Sequence, residues 1–157
     1  MATQRMMFHR RIESPFGTLC VSACDDGITA LDWQETQAAD AHHLLDQAQD
    51  YLTRYFAGKA VALTLPFHLD GTEHHQTVLR AMADIPYGQT ETYATLAEKT
   101  GSVARAVGGV CGSNPIPILI PCHRVLSAGR RIGHFSAPGG PLTKMKLLDL
   151  EGARYRG

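Results

Sequence analysis

The stretch TYATLAEKTGSVARAVGGVCG, residues 92–112, decides the second half of the fold. Its first part has a helical pattern over 92–99 and is closed by Gly101. Ser102 then stands where an N-cap is expected, so we predict a second helix over 103–112. Two short helices joined by a tight, glycine-containing turn form the helix-turn-helix pattern. The sequence therefore predicts a helix-turn-helix here.

The second of these helices has two unlike faces. At 100° per residue, an apolar core stripe separates from a face with one arginine and three glycines. The stripe is Val103, Ala106, Val107, Val110 and Cys111, and the other face is Arg105, Gly108, Gly109 and Gly112. Each glycine costs about 1 kcal/mol relative to alanine inside a helix. Such a face suits close approach of a groove or a stack of bases, or tight packing of another helix, and the helix alone favours neither.

Outward from this stretch, the chain divides into a strand-rich beginning and a helical remainder. Turn signals separate three β-prone segments, which predicts an antiparallel meander, and a helix with one apolar face follows. The strands are expected at 7–13, 17–23 and 28–33, the helix at 44–56 and a further short strand at 61–65. In the second half, helices are expected at 72–83, capped by Thr72, and at 143–150. We place the domain boundary between residues 66 and 67.

The composition limits the classes of function that the chain can have. The chain has 157 residues, 44% of them hydrophobic, and its fifteen basic residues balance its fifteen acidic ones. This is the composition of an ordinary globular protein, so any nucleic-acid surface must be local. No apolar run is long enough for a transmembrane helix, and residues 1–10 lack the apolar core of a signal peptide. We expect a cytoplasmic protein with no membrane partner.

The four cysteines leave one metal hypothesis open. Cys20 and Cys24 share a face of a predicted strand, and with His42 and His43 they would offer four zinc ligands. Structural zinc sites usually have tighter ligand spacing, and free cysteines are common in protein cores. We therefore expect no metal site.

The most unusual segment is NPIPILIPCHRV, residues 114–125. Its three prolines forbid a helix and hold the backbone extended just before Cys122. Neighbouring side chains on a straight strand point to opposite faces. A direct pairing of Cys122 with His123 therefore requires a bend in the chain, or a water between the two groups.

Glu151 lies near the end of the last predicted helix, on the stripe that carries Lys144, Leu147 and Leu148. The helix dipole opposes a carboxylate at this end, so the residue costs stability unless it has a partner. A histidine partner would be held in one tautomer and made a better base toward a thiol. Cys122, His123 and Glu151 are thus candidates for nucleophile, base and orienter. The alternative is a structural cysteine beside a surface histidine. Because a cysteine next to a histidine is a weak motif by itself, these residues alone slightly favour this alternative.

Several short motifs, in this order, closely resemble the O6-alkylguanine-DNA alkyltransferases, also called methylated-DNA–protein-cysteine methyltransferases. They are IPYG at 85–88, TY at 92–93, RAVGG at 105–109, NP at 114–115, IPCHRV at 120–125 and, after Lys144, LLDLEG at 147–152. The resemblance covers about half of the chain. It implies an α+β fold, with an N-terminal ribonuclease-H-like antiparallel sheet plus helix over 1–66. A mostly helical DNA-binding and catalytic domain with the helix-turn-helix would occupy 67–157.

The resemblance also implies a function and a set of catalytic residues. The alkyl group of O6-alkylguanine in DNA would pass to Cys122 in a single irreversible turnover. O4-alkylthymine would be a second substrate. His123 would act on the thiol through a water and be polarised by Glu151. Tyr93 would protonate the leaving guanine, and Asn114 would tie the helix-turn-helix to the active-site loop.

For DNA binding, the resemblance implies that the damaged base is flipped out of the duplex while the second helix lies in the minor groove. Arg105 would fill the gap in the stack, and the remaining DNA surface would comprise Tyr93, Ala106, Gly108, Gly109, Gly112 and Arg124. The guanine would meet the carbonyls of Cys122 and Val125, the amide of Ser136, and the side chains of Phe135 and Lys144. The expected partner is duplex DNA, bound by a monomer without a cofactor. The expected location is the cytoplasm or nucleoid, or the nucleus in a eukaryote.

Two departures and two alternatives accompany this interpretation. Phe135 stands where the family often has tyrosine, and the loop at 136–140 is longer than in some members, which affects the width of the pocket. A non-catalytic, alkyltransferase-like damage-binding protein would lack the cysteine, so Cys122 argues against it. A DNA-binding regulator would need side chains to read bases, which Gly108, Gly109 and Gly112 do not supply.

Overall fold

The structure is a computed structural model that describes residues 5–157. The chain forms two compact units, the first ending at Leu69 and the second spanning Asp70–Gly157. The sequence placed the boundary between 66 and 67. Residues 1–4, with which the predicted first domain begins, lie outside the described residues. Strands dominate the first unit and helices the second, as the α+β prediction requires.

The first unit contains the predicted meander. Strands β1 (Phe8–Ser14), β2 (Gly17–Cys24) and β3 (Gly27–Trp33) form an antiparallel sheet in the order β1-β2-β3. Helix α1 (His43–Phe56) packs on this sheet, because its apolar face matches the helical period. The strands begin and end within one residue of the predicted positions.

The short strand predicted at 61–65 is wrong. This segment has no regular secondary structure and forms no ladder with a neighbouring strand. Pro66 ends it, and the contact with the sheet comes just afterwards, where Phe67 forms a single parallel bridge with Ile28. The amide of Ile28 donates to the carbonyl of Pro66 at 2.9 Å, and His68 donates back to Ile28 at 2.9 Å. A proline has no amide hydrogen with which to extend such a ladder.

The second unit contains four α-helices and a short ladder of two strands. Helices α2 (Glu73–Ala83), α3 (Tyr93–Thr100) and α4 (Ala104–Gly112) pack together, and α5 (Pro141–Glu151) lies near the end of the chain. Strands β4 (Glu91–Thr92) and β5 (Val125–Leu126), which no pattern in the sequence predicts, pair in parallel. This ladder holds the first residue of α3, Tyr93, close to the segment that follows Cys122.

The helix ends test the predicted caps. Thr72 caps α2, since its hydroxyl accepts from the amide of His75 at 3.1 Å, which confirms the prediction. The predicted cap at Ser102 is wrong: α4 begins one residue later, after an extended Val103 that provides no side-chain cap. Ser102 instead bonds to Nε2 of His74 at 2.7 Å. Val103 is 65% exposed and so does not belong to the core stripe.

Helix α5 buries the stripe on which Glu151 was predicted to lie, and Gly152 ends it in the left-handed conformation, with φ of 69°. Lys144, Leu147 and Leu148 are fully buried on this stripe. No helix within residues 5–157 combines the length and apolar character needed to cross a membrane.

Candidate active site

A strained loop presents Cys122. Ile118 has φ of 72°, a left-handed conformation that is a genuine outlier for a β-branched residue. The loop is held by the side chain of Asn114, whose Nδ2 donates to the carbonyl of Ile120 at 2.8 Å and whose Oδ1 accepts from Ile116 at 2.9 Å. Asn114 follows closely after α4. Its amide therefore connects the end of α4 to the loop before Cys122.

Cys122 begins a single 3₁₀ turn, Cys122–Arg124. The turn supplies the bend that a straight strand would lack. All three of its side chains are buried, and Cys122 is 4% exposed. The sulfur is thus held in a fixed, nearly dry position beside His123.

Glu151 has two buried partners in this turn. Nε2 of His123 lies 2.6 Å from Oε2 of Glu151, and Nε of Arg124 donates to Oε1 at 2.8 Å. Arg124 also donates from Nη2 to Oε2 at 3.1 Å and from Nη1 to the carbonyl of Ile85 at 2.6 Å. The predicted place of Arg124 on the DNA surface is corrected by this finding. It is 5% exposed, and its guanidinium neutralises the carboxylate at the end of α5.

The environment sets the protonation states of these groups. Burial alone would raise the pKa of Glu151, but hydrogen bonds and charges from His123 and Arg124 lower it to about 2. Burial lowers the pKa of His123 despite its bond to Glu151. Burial also raises the pKa of Cys122, although Asn114 opposes the shift. A neutral imidazole that donates Nε2–H to a carboxylate keeps Nδ1 as its basic nitrogen. The free protein therefore pairs a neutral thiol with a neutral base.

Cys122 opens into a cavity of about 240 Å³. Of the predicted site residues, Tyr93, Gly108, Gly112, Phe135 and Ser136 also line it. The cavity wall includes three further residues that were not predicted to belong to the site, namely Cys111, Ser127 and His134. Cys111 was predicted to lie on the core stripe of α4. It is buried there, and no pattern in the sequence signals its second contact with the cavity.

Lys144 and Val125, predicted to bind the substrate, are not on the cavity wall. Nζ of Lys144 donates to the carbonyl of Val125 at 2.7 Å and to that of His134 at 3.1 Å. This side chain is fully buried, and burial lowers its pKa to about 8. Lys144 thus joins the segment after Cys122 to the loop that carries Phe135, and it shapes the pocket without contacting it.

Tyr93 lies on the wall of the cavity together with Cys111 and Cys122. Burial, followed by the nearby sulfurs of Cys111 and Cys122, raises its pKa to about 12. Its hydroxyl is therefore a proton donor over the whole physiological pH range.

The glycine face of α4 is open. A Cβ atom built on Gly108, Gly109 or Gly112 meets no atom within 4 Å. No neighbour among the described residues therefore requires glycine at these positions, which removes the helix-packing alternative. Arg105 is exposed near the start of the same helix. The face is available to a partner that approaches the backbone of α4 closely.

Two domain models of one protein family match this chain. Residues 7–69 match the ribonuclease-like domain of 6-O-methylguanine DNA methyltransferase, and residues 73–153 match the DNA-binding domain of the same family. The chain belongs to the 6-O-methylguanine DNA methyltransferase family. This confirms the family that the motifs indicated.

Relatives in this methyltransferase family match the chain along almost its whole length. The methylated-DNA–protein-cysteine methyltransferase of Mycobacterium tuberculosis is 36% identical over 158 residues, covering 95% of this chain and 94% of the relative. The constitutive enzyme of that name from Bacillus subtilis is 34% identical over 166 residues, covering 96% of this chain and 99% of the relative.

Solved methyltransferase structures confirm the predicted fold class. The crystal structure of the Mycobacterium tuberculosis O6-methylguanine methyltransferase matches with a TM-score of 0.79 at 36% identity, covering 94% of this chain and 93% of that one. The structure of OGT from the same organism in complex with DNA matches with a TM-score of 0.80 at 34% identity, covering 96% of each chain.

The zinc hypothesis involving Cys20, Cys24, His42 and His43 receives no support. His42 instead bonds Asp25 through Nε2 and caps α1 through Nδ1. Within residues 5–157, the one group of three ligand-type side chains with atoms within 4.8 Å of one another is Cys24, Asp26 and His68. The guanidinium of Arg5 bonds Cys24 and Asp26, so a protein cation already stands beside them.

Proposed function

We propose that this chain repairs O6-alkylguanine in duplex DNA by direct reversal, moving the alkyl group to Cys122 in one irreversible turnover. The observation that carries this proposal is the shared cavity of Cys122 and Tyr93, a buried nucleophile and a protonated phenol on the walls of one pocket. The glycine face of α4 supports it, since Gly108 and Gly112 belong to both the face and the pocket wall.

The chemistry follows from the protonation states. His123 takes the thiol proton of Cys122 through a water, and Glu151 stabilises the resulting imidazolium. The thiolate attacks the alkyl carbon, so a carbon–sulfur bond forms while the bond from that carbon to O6 breaks. Tyr93 donates a proton to the departing guanine and recovers one afterwards. The thioether at Cys122 has no route back to a thiol, which makes the reaction stoichiometric.

DNA binding follows from the open helix face. A base inside a duplex cannot reach Cys122, so it must leave the stack at a cost of a few kcal/mol. We infer that α4 enters the minor groove, that its glycines and Ala106 allow close approach, and that Arg105 fills the vacated space. All of these residues belong to a single chain, so a monomer suffices for the reaction.

The experiment is a single-turnover assay with a duplex that contains one O6-methylguanine. Mixing protein and duplex at known ratios should restore one guanine per active chain and then stop, whatever the incubation time. Repeated turnover on excess DNA would contradict suicidal transfer. DNA binding with no restored guanine would contradict transfer itself and favour a damage-binding protein. A duplex with O4-methylthymine tests the second substrate.

A further inference from the structure

An arginine-lined groove lies outside the Cys122 cavity, in the same unit. Two adjoining cavities of about 310 and 470 Å³ share Arg130 and Arg154 on their walls, and the second also contacts Tyr155 and Arg156. The three arginines are exposed. We call the surface formed by Arg130, Arg154, Tyr155 and Arg156 the arginine groove.

The positive charge of the arginine groove is not balanced locally. Across the described part of the chain, 5–157, no carboxylate lies within 4.0 Å of the guanidinium of Arg130, Arg154 or Arg156. Asp149, the acid that contacts this surface, accepts a hydrogen bond from Tyr155 at 2.7 Å. In a chain with no net charge, three exposed guanidiniums around one groove form a local site for a polyanion.

Backbone hydrogen bonds fix the two segments that carry these arginines side by side. The amide of Arg156 donates to the carbonyl of Arg130 at 2.8 Å, and the amide of Ile132 donates to the carbonyl of Arg156 at 2.9 Å. The guanidiniums therefore start from backbone positions that are already ordered, which lowers the entropy lost when they bind a ligand.

Arg130 is held in a costly conformation. It has φ of 61°, directly after Gly129 with φ of 72°, in a tight turn closed by the amide of Ser127 and the carbonyl of Arg131. The left-handed region is unfavourable for a residue with a Cβ atom, and glycine avoids this cost. Strain of this kind points to a function for the side chain.

The same turn connects the arginine groove to the Cys122 cavity. Ser127, at one end of the turn, lines that cavity, while Arg130, near the other end, lines the groove. Gly88, Gln89 and Thr90 form another part of the groove wall and lead into β4 and Tyr93. The arginine groove therefore lies within one turn of the chain from the cavity that holds Cys122.

We propose that the arginine groove binds the phosphodiester backbone of DNA outside the nucleotide under repair, as a contact additional to that of α4. The choice of DNA rests on the proposed function, and on guanidinium forks that match phosphate geometry. The DNA-binding family match, residues 73–153, includes Arg130 and ends just before Arg154 and Arg156. The groove holds the duplex in register without reading its sequence.

The test uses an undamaged duplex, so that it does not depend on alkyl transfer. Affinity is measured by fluorescence anisotropy over a range of salt concentrations for the wild type and for a triple variant, Arg130→Gln, Arg154→Gln and Arg156→Gln. A matched triple variant removes three exposed positive charges elsewhere, by Arg54→Gln, Lys59→Gln and Arg80→Gln. Each lost phosphate contact lowers the slope of log affinity against log salt by about 0.9.

We expect the groove variant to bind at least about 10-fold more weakly and to lose about 2.7 units of salt slope, while the matched variant keeps the wild-type slope. Equal slopes for all three proteins overturn the proposal. Methyl transfer to Cys122 from free O6-methylguanine base is the second measurement, and the groove variant should retain it. Loss of that transfer would show that the arginines support the Cys122 cavity instead. A wild type that transfers no methyl group refutes the proposed function. The salt slopes then still show whether the arginine groove binds DNA.

Discussion

Glu151 accepts a hydrogen bond from His123 at 2.6 Å, with both side chains fully buried. The bond joins the last residue of α5 to the 3₁₀ turn that carries Cys122. It leaves Nδ1 as the basic nitrogen of His123, and it stabilises the imidazolium that forms when the thiol loses its proton. The same carboxylate binds Arg124, so one buried anion orders both residues that follow the nucleophile.

Glu151 should make stability depend on pH in acid. Its pKa falls from 4.5 to about 2 on folding, so its contribution is present above about pH 4.5 and is lost as the pH falls toward 2. The shift corresponds to about 3 kcal/mol. Urea unfolding of the wild type and Glu151→Gln should therefore differ by several kcal/mol near neutral pH and converge in acid. A difference that stays constant with pH would contradict the assigned ion pairs.

Tyr93→Phe should slow methyl transfer without weakening DNA binding. The variant keeps the ring but loses a hydroxyl whose pKa of about 12 makes it a proton donor. General acid catalysis contributes about 100-fold or more. Single-turnover rates on saturating duplex measure the effect, with anisotropy as the control for binding. An unchanged rate would mean that another group protonates the guanine.

Gly109→Ala should separate stability from DNA binding. The new methyl group meets no atom within 4 Å, and alanine favours a helix by about 1 kcal/mol, so the free energy of unfolding should rise. Affinity for duplex DNA should fall, because the methyl group holds the DNA away from α4. Gly101→Ala is the control: with φ of 64°, that position should lose stability. If Gly109→Ala binds DNA normally, the glycine face is not the DNA surface.

Arg105→Ala should slow transfer from a duplex while leaving transfer from free O6-methylguanine base unchanged. The arginine is exposed on α4 and is predicted to act only by replacing the flipped nucleotide in the stack. The ratio of the two rates isolates the flipping step from the chemistry at Cys122. Equal rates for variant and wild type on the duplex would rule out this role.

Local patterns predicted most of the fold. Alternation and turn residues located the three strands, and helical periodicity located α1, α2, α3 and α5, because each signal lies within the segment that it describes. The strand predicted at 61–65 is absent because a strand forms only where the edge of a neighbouring strand pairs with it, and a local pattern does not show that edge. The ladder between β4 and β5 joins Glu91 to Val125, and two residues carry no strand pattern of their own.

The candidate site was predicted in part, for similar reasons. Glu151 was marked by its position, an anion on an apolar stripe at the wrong end of a helix dipole. The charge of Arg124 suggested a contact with DNA. Arg124 is instead buried, because it supplies the counterion that the buried carboxylate of Glu151 requires. Cys111, Ser127 and His134 reach the cavity only through tertiary packing, so nothing in their neighbours' identities signals their position.

We propose Cys122 as the alkyl acceptor, although Cys111 lines the same cavity. Intact-mass analysis followed by peptide mapping, after reaction with an O6-methylguanine duplex, tests it directly. We expect one added methyl group per chain, on the peptide that contains Cys122, and none for a folded Cys122→Ser variant that still binds DNA. A methyl group on Cys111, or transfer that survives in Cys122→Ser, would contradict it.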